Sequence, residues 1–227
     1  MNYEKIFDKI EAKLEGLSHL DELTNKKKKP FEILIATVLS ARTRDTNTRK
    51  VTKRLFKTLK TPKEIADAKI STLEDLVYEA GFYKVKAQRI KDISKIIVET
   101  YNGKVPADFE KLMSLPGVGR KTANCVLAYA FNLPAICVDT HVHRISNRLG
   151  WVHTKKPKET EKELKNLIPK DQWIRINRLF VRFGQQICLP NHPKHEQCPV
   201  EDICAKDFSM EKKQKKKKKS KGRNKAQ

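Results

Sequence analysis

Lys121 and Asp139 are two residues of this 227-residue sequence whose types and surroundings favour a chemical reaction. Lys121 follows the glycine-flanked turn at residues 115–119, and an apolar helical pattern begins beside it, so it is predicted to lie in the first turn of a helix. Asp139 precedes a second helical pattern. A neutral lysine amine can attack an electrophilic sugar carbon and form a Schiff base. A carboxylate can stabilise the positive charge that develops on such a sugar.

Each of these residues has a second interpretation. The dipole at a helix N-terminus disfavours a cation, which eases loss of the proton from Lys121. Lys121 can instead be only a phosphate contact, the usual role of a lysine beside such a turn. Asp139 can likewise be only an N-cap, worth about 1 kcal/mol.

The turn LPGVG at residues 115–119 has the features of an anion-binding site. Its glycines permit positive φ and a close approach of the backbone to a ligand. The first N–H groups of the following helix are unpaired, so a nucleic-acid phosphate fits there without reference to base sequence. A plain helix–helix turn is the alternative. The residues predicted to contact DNA here are Leu115, Gly117, Val118, Gly119, Arg120 and Thr122, joined by His141 from the second helix.

The charge of the chain indicates a polyanionic partner. It has 49 Lys and Arg residues against 27 Asp and Glu, a formal net charge of +22. Residues 212–227 contain nine lysines and Arg223 and no acid, which is +10, so +12 remains in residues 1–211. The body of the chain is therefore basic by itself, which favours a nucleic acid first and an anionic membrane surface second.

The sequence lacks the signals of a secreted or membrane protein. No apolar run approaches the roughly 20 residues of a membrane span, and residues 1–17 carry alternating charges rather than the apolar core of a signal peptide. The five cysteines do not resemble a secreted disulfide framework, because three of them lie in one C-terminal stretch. We expect an intracellular protein in a reducing compartment, the cytoplasm or nucleoid of a prokaryote, or the nucleus if the source is eukaryotic.

The elements that must position these residues are all predicted to be helices. Apolar residues recur at helical spacing and no segment alternates with a period of two, which indicates an all-α fold of about ten short helices. Residues 31–40, FEILIATVLS, predict a buried helix. Gly81 is predicted to end a short helix in the left-handed conformation. Residues 209–227 are basic and of low complexity, and we expect a disordered tail that adds salt-dependent DNA affinity or acts as a nuclear address.

The motifs LPGVGRKTAN and VDTHVHRISNRL, with a helix between them, resemble the endonuclease III family of DNA glycosylases. Its superfamily is named for a helix-hairpin-helix, a Gly/Pro-rich loop and a distal Asp. The resemblance runs from about residue 20 to 205 and includes LSARTRD, AGFYKVKA and RFGQQICLP. It implies a two-lobed helical fold: a six-helix barrel lobe at 22–132 with the hairpin, and a lobe from 1–21 and 133–208 with the aspartate and a Cys/His loop.

The resemblance also implies base-excision DNA repair on double-stranded DNA with damaged bases or abasic sites, performed by a monomer. An oxidised pyrimidine is flipped from the duplex, Lys121 attacks its C1′, and the Schiff base nicks the strand by β-elimination. Asp139 is the implied catalytic carboxylate. A lysine at position 121 favours this bifunctional class over a mismatch-type or monofunctional glycosylase. A non-catalytic helix-hairpin-helix DNA-binding protein is the third alternative.

Two implied DNA contacts depart from the family pattern. Arg42 stands where the family commonly has Gln, at the position that fills the gap left by the flipped base. Phe82 stands at the position of the apolar wedge, often Leu, which enters the base stack. The preference for the opposite base is therefore open, and ordinary core packing is the alternative for Phe82.

The C-terminal loop departs further. The family carries four cysteines, spaced C-x6-C-x2-C-x5-C, that hold a 4Fe-4S cluster. This chain has Cys188, Cys198 and Cys204 at three of these positions and His195 at the other. A cluster with His195 as the fourth ligand is the favoured interpretation, followed by a loop without metal and then by a zinc site. The two remaining cysteines, Cys125 and Cys137, are predicted to be core residues.

Overall fold

A computed structural model of the protein describes residues 2–208. These residues form twelve α-helices and three short 3₁₀ helices and contain no strand, which confirms the all-α prediction. The predicted tail at 209–227 lies outside the described residues. The α-helices are α1 Tyr3–Glu11, α2 His19–Asn25, α3 Pro30–Ser40, α4 Asp45–Thr58, α5 Pro62–Asp67, α6 Ile70–Val77, α7 Tyr83–Tyr101, α8 Phe109–Met113, α9 Arg120–Phe131, α10 Thr140–Arg148, α11 Pro157–Leu167 and α12 Trp173–Gln186. The 3₁₀ helices are Lys170–Gln172, His195–Gln197 and Glu201–Ile203.

The described residues form two compact units. One unit is Gly16–Cys137 and contains α2 to α9. The other consists of the described residues up to Glu15 and from Val138 onward, with α1 and α10 to α12. We call them the hairpin unit and the aspartate unit, after Gly117 and Asp139. None of the helices in residues 2–208 combines the length and apolar composition that spanning a membrane requires.

Helix α3 is the centre of the hairpin unit. All residues from Phe31 to Leu39 except Glu32 are buried, as the apolar sequence of this segment predicts. It packs against α9 on one side and α4 on another, and α7 packs against α5 and α6. The helix that carries Lys121 in its first turn and the helix that begins after Phe82 thereby belong to one core.

Aromatic rings form the core of the aspartate unit. Phe7 of α1 lies with its ring centroid 5.9 Å from that of Trp151 and 6.1 Å from that of Phe180 in α12. Arg175 of α12 adds charged contacts, because its guanidinium donates to Asp8 at 2.8 Å and to Glu11 at 3.0 Å. These contacts explain why the first helix of the chain belongs with the last.

The prediction that Gly81 adopts the left-handed conformation is wrong. The left-handed residue at this corner is Phe82, with φ 59°, and Gly81 does not have a positive φ. A Cβ at position 81 would lie 2.5 Å from the carbonyl oxygen of Arg42. Gly81 is therefore required by a close approach of two backbone segments, not by its own conformation.

Candidate active site and nucleic-acid interface

The hairpin connects α8 to α9 and has the predicted glycine geometry. Gly117 has φ 73°, and a Cβ there would lie 2.6 Å from the side chain of Arg89 in α7. The side chains of Leu115 and Val118 are buried, at 2% and 5% exposure, so a ligand can meet only their backbone. The N–H of Val118 already donates to the carbonyl of Leu115 at 3.1 Å. The exposed part of the hairpin is thus glycine backbone.

The start of α9 offers backbone donors and positive charge. Gly119 is its N-cap, and this residue makes no side-chain cap hydrogen bond. The first turn contains no acid, and it carries Arg120, Lys121 and Thr122, all partly exposed. The Arg120 guanidinium lies 4.8 Å from the ring centroid of Phe109, which holds it beside the hairpin. A phosphate is the ligand that such a helix start accommodates best.

Two residues of α7 were not identified by the sequence analysis. Arg89 lies in the middle of α7, and only tertiary packing brings its side chain against Gly117. Lys86, also in α7, is buried at 3% exposure although lysine is seldom buried. The one available signal was its place on the apolar face of α7, next to Ala87 and one turn before Ile90.

A disulfide joins Cys125 in α9 to Cys137 at the end of the hairpin unit, with the Cα atoms 5.1 Å apart. Both cysteines are buried, as predicted for core residues, whereas the bond between them was not predicted. The Cys137 Sγ also lies 3.4 Å from the carbonyl oxygen of Lys121. The chain segment that leads to Asp139 is therefore fixed covalently to the helix that carries Lys121.

Asp139 caps α10, as one of its two interpretations predicted. Its Oδ1 accepts the N–H of His141 at 2.9 Å and the N–H of Val142 at 2.8 Å. The residue is partly buried. Two donors to one carboxylate oxygen fix the orientation of the whole group.

His141 packs closely against α12. Its Nδ1 lies 3.2 Å from the Arg144 guanidinium, which is always a donor, so this nitrogen accepts and the proton sits on Nε2. Burial lowers the pKa of His141, and Arg144 lowers it further, although Asp139 acts in the opposite direction. A Cβ at Gly184 would lie 2.4 Å from Nδ1, so only glycine admits the ring. The neutral imidazole therefore stands beside the Asp139 turn.

Arg42 and Phe82, far apart in sequence, meet at one corner of the hairpin unit. Both have positive φ, 52° and 59°, which is a strained conformation for such side chains. Arg42 is exposed, Phe82 is 64% exposed, and the guanidinium carbon lies 5.6 Å from the ring centroid. A large apolar ring held in solvent has little packing value of its own, so ordinary core packing does not describe Phe82.

The C-terminal loop brings its four predicted ligands around one cavity. Cys188, His195, Cys198 and Cys204 all line it, together with apolar residues such as Phe183 and Ile145. The three cysteines are free and partly buried. Within residues 2–208, however, no three His, Cys, Asp or Glu side chains are arranged as a metal-binding group.

Arg148 also lines this cavity, and its side chain is buried. Its Nη1 donates to the Cys188 Sγ at 3.3 Å, and its carbonyl accepts from the Cys204 Sγ at 3.3 Å. Burial raises the pKa of Cys198 and Cys204, and the neighbouring cysteines raise both further. The buried guanidinium can offset negative charge on these sulfurs, and Lys206 acts in the same direction on Cys204.

Comparisons with known proteins give consistent results. The family of HhH-GPD superfamily base excision DNA repair proteins matches residues 35–170. The chain is 55% identical to endonuclease III of Thermotoga maritima over 79% of its length and 84% of that protein. It is 44% identical to the chloroplastic endonuclease III homolog 2 of Arabidopsis thaliana over 80% of its length, and covers 50% of that longer protein. A solved structure of a trapped endonuclease III–DNA covalent intermediate matches with a TM-score of 0.75 and 40% identity, over 82% of this chain and 92% of that chain.

Proposed function

Because the chain belongs to the endonuclease III family of the HhH-GPD superfamily of base excision DNA repair proteins, we propose that it is a bifunctional enzyme of that repair. It removes oxidised pyrimidines from double-stranded DNA as a glycosylase and nicks the resulting abasic site as a lyase. One observation carries this proposal. Lys121 stands in the first turn of α9, directly after the hairpin, in a chain 40% identical to the protein of the trapped covalent DNA complex.

Lys121 is the proposed nucleophile. Its neutral amine forms a bond from Nζ to C1′ of the damaged nucleotide, while the bond from C1′ to the base breaks and the base leaves with that electron pair and takes up a proton. Nζ then loses a proton and the C1′–O4′ bond breaks, with O4′ taking up a proton, so that the sugar ring opens to a Schiff base. This Schiff base acidifies the proton on C2′. Loss of this proton expels the 3′ phosphate by β-elimination, and water then hydrolyses the imine to release Lys121.

Asp139 is the proposed catalytic carboxylate. Its orientation is fixed by the N–H groups of His141 and Val142, so it needs no rearrangement to face a developing charge. We assign it the stabilisation of the positively charged sugar as the base leaves. His141 is a proposed DNA contact through its Nε2–H, because Nδ1 is occupied by Arg144.

The hairpin and the corner that carries Phe82 are proposed to contact different parts of the DNA. At the hairpin, the backbone of Gly117 and Gly119, with Arg120 and Thr122, binds a phosphate, and the buried Leu115 and Val118 set the shape of the turn. At the corner, Arg42 enters the space left by the flipped base and Phe82 enters the neighbouring base step.

The Cys/His loop is proposed to hold a 4Fe-4S cluster. The donor chemistry fits, because Cys188, Cys198, Cys204 and His195 line one cavity and Arg148 supplies a cation beside the sulfurs. When bound, the cluster would brace a loop whose own elements are two 3₁₀ helices of three residues. No step of the proposed reaction passes through it.

Borohydride trapping tests the nucleophile. Incubation of the protein with a thymine-glycol duplex and borohydride reduces the Schiff base to a stable amine, so a covalent protein–DNA complex should appear with wild type and be absent with Lys121→Ala. Lys111→Ala is the matched control, since Lys111 is exposed in the neighbouring α8. Normal trapping and nicking by Lys121→Ala would refute the assignment. Base release without trapping by wild type would favour a monofunctional glycosylase, and duplex binding without base release a non-catalytic module.

Metal analysis tests the loop. We expect anaerobically purified wild type to contain iron and absorb visible light, and His195→Ala to lose iron. His192→Asn is the control, because His192 belongs to the same loop, is exposed and has a positive φ that Asn tolerates. A colourless, iron-free wild type would contradict the cluster, and stoichiometric zinc in its place would support the zinc alternative.

The predicted lobes, localisation and oligomeric state also belong to this proposal. We propose that the lobes at 22–132 and at 1–21 with 133–208 are the functional halves of the enzyme, and that it acts as an intracellular monomer. The role of residues 209–227 stays a prediction.

A further inference from the structure

Lys86 has the most unusual environment of the lysines in α7. It is 3% exposed, and its Nζ donates to the carbonyl oxygens of Leu39 at 2.8 Å and Ala41 at 2.6 Å. A third bond joins Nζ to the Thr43 Oγ1 at 2.6 Å. An ammonium group buried without such partners would cost several kcal/mol, so this arrangement has to be explained by what it supports.

The ammonium lies at the carboxyl end of α3. The last carbonyls of a helix have no partner within it and carry partial negative charge. Here the helix is buried almost throughout, so its last carbonyls, including that of Leu39, need a donor from the protein. Lys86 supplies that donor, and it continues to Ala41 and Thr43 in the corner beyond the helix.

These contacts enclose Arg42 on both sides. Ala41 precedes it and Thr43 follows it, and both are held by the same ammonium group while Arg42 itself has φ 52°. The strained backbone of Arg42 therefore lies between two residues that are held by the Lys86 ammonium group. A non-glycine residue keeps such a conformation only when its surroundings over-determine it.

The same lysine is bonded to the second strained residue. The Lys86 backbone N–H donates to the carbonyl of Phe82 at 3.1 Å, which forms the first turn of α7. The two corners also touch directly, because the Gly81 N–H donates to the Thr43 Oγ1 at 3.1 Å. Lys86 is thus the residue whose backbone and side chain bind both corners.

We propose that Lys86 is a positioning residue that fixes Arg42 and Phe82 side by side, exposed and strained, before DNA is bound. The inference rests on the proposed function, because it assumes that these two side chains enter the DNA. Preorganisation of this kind raises affinity by removing the cost of ordering the side chains on binding. It acts on recognition of the lesion and leaves phosphate binding by the hairpin unchanged.

Lys91 offers a matched control in the same helix. Its Nζ donates to the carbonyl of Ala66 at 2.9 Å and to that of Ala68, so it caps the end of α5 as Lys86 caps the end of α3. The carbonyls that it binds flank no residue with positive φ. Lys91→Met therefore removes a similar helix cap without touching the corner of Arg42 and Phe82.

Affinities of Lys86→Met, Lys91→Met and wild type for two duplexes test the proposal. One duplex contains a tetrahydrofuran abasic-site analogue and the other is undamaged. We expect Lys86→Met to bind the abasic duplex about tenfold more weakly and the undamaged duplex within about twofold of wild type, and Lys91→Met to change neither. 2-Aminopurine opposite the abasic site should show less unstacking with Lys86→Met.

A second variant keeps the test open if Lys86→Met does not fold. Thr43→Val removes, at a partly exposed site, the hydroxyl that accepts from both the Lys86 ammonium and the Gly81 N–H. We expect a loss of abasic preference of roughly threefold. An abasic preference equal to that of wild type in Lys86→Met, or in Thr43→Val if Lys86→Met does not fold, would overturn the role of Lys86. An equal loss in Lys91→Met would overturn it as well. A wild type that binds both duplexes equally and cannot be trapped would instead overturn the proposed function.

Discussion

Two turns of the hairpin unit lead into helices, and they are built in opposite ways. The hairpin before α9 places a glycine, Gly117, at positive φ and buries its apolar side chains, so that backbone faces the ligand. The corner before α7 places Phe82 at positive φ and leaves its ring 64% exposed, beside an equally strained Arg42. The first turn is relaxed and presents backbone, whereas the second is strained and presents side chains.

This difference indicates two tasks. Phosphates are the same at every nucleotide, so a relaxed backbone surface that binds them supplies affinity without discrimination. A gap in the base stack exists only at a lesion or a flipped base, so side chains that fill it supply discrimination. The strain at the corner is held by Lys86 and by the approach of Gly81 to Arg42.

The largest expected effect comes from breaking the relaxed turn. Gly117→Ala introduces a Cβ at φ 73° and against Arg89, so we expect about 1 kcal/mol lower stability. Binding to undamaged and abasic duplexes should fall together, by tenfold or more. Gly103→Ala is the control, because its φ of 75° imposes the same backbone strain, while a Cβ there meets nothing within 4 Å and lies outside the hairpin. Filter binding on both duplexes distinguishes this uniform loss from a loss confined to the abasic duplex, which would contradict the division of tasks.

An intermediate effect is expected from relaxing the strained corner. Phe82→Gly removes the ring and permits φ 59° without strain, so the preference for an abasic duplex should fall roughly threefold to tenfold. Stability should rise by about 0.5 kcal/mol, since relief of the strain exceeds the added freedom of the unfolded chain. Tyr78→Ala, at an exposed aromatic residue without positive φ, should leave the preference unchanged. Urea unfolding and duplex titration measure the two quantities, and a loss of stability in Phe82→Gly would contradict the strain.

The smallest effect is a dependence of stability on pH. Burial, with Arg89 nearby, lowers the pKa of Lys86 to about 8, from 10.5. Between these values the unfolded chain binds a proton that the folded chain does not, so the free energy of unfolding of wild type should rise with pH. Relative to Lys86→Met, the rise from pH 8 to 10.5 should be about 2 kcal/mol. Urea unfolding at several pH values checks the sign, and parallel curves for the two proteins would show that Lys86 is not the responsible group.

The sequence by itself determined the helical elements and the local geometry of their turns and caps. Helical spacing of apolar residues indicated the all-α fold, and the buried character of α3 followed from a segment that is apolar on nearly all sides. The glycine hairpin and the cap formed by Asp139 were also predicted. These features depend on neighbours within one or two turns of chain, so local propensity and spacing are sufficient to specify them.

Only the tertiary structure decided which distant residues support them. Lys86 and Leu39 are separated by 47 residues and Gly81 and Thr43 by 38, and nothing in their local patterns indicates that they meet. The bond between Cys125 and Cys137, which were predicted only to be core residues, likewise follows from the packing of the segment that contains Cys137 against α9. The physical reason is that helix periodicity specifies the face that a segment buries, whereas its partner is chosen by the packing of the whole core. Gly81 shows this most directly, since its conformation is ordinary and the carbonyl of Arg42 alone makes glycine necessary.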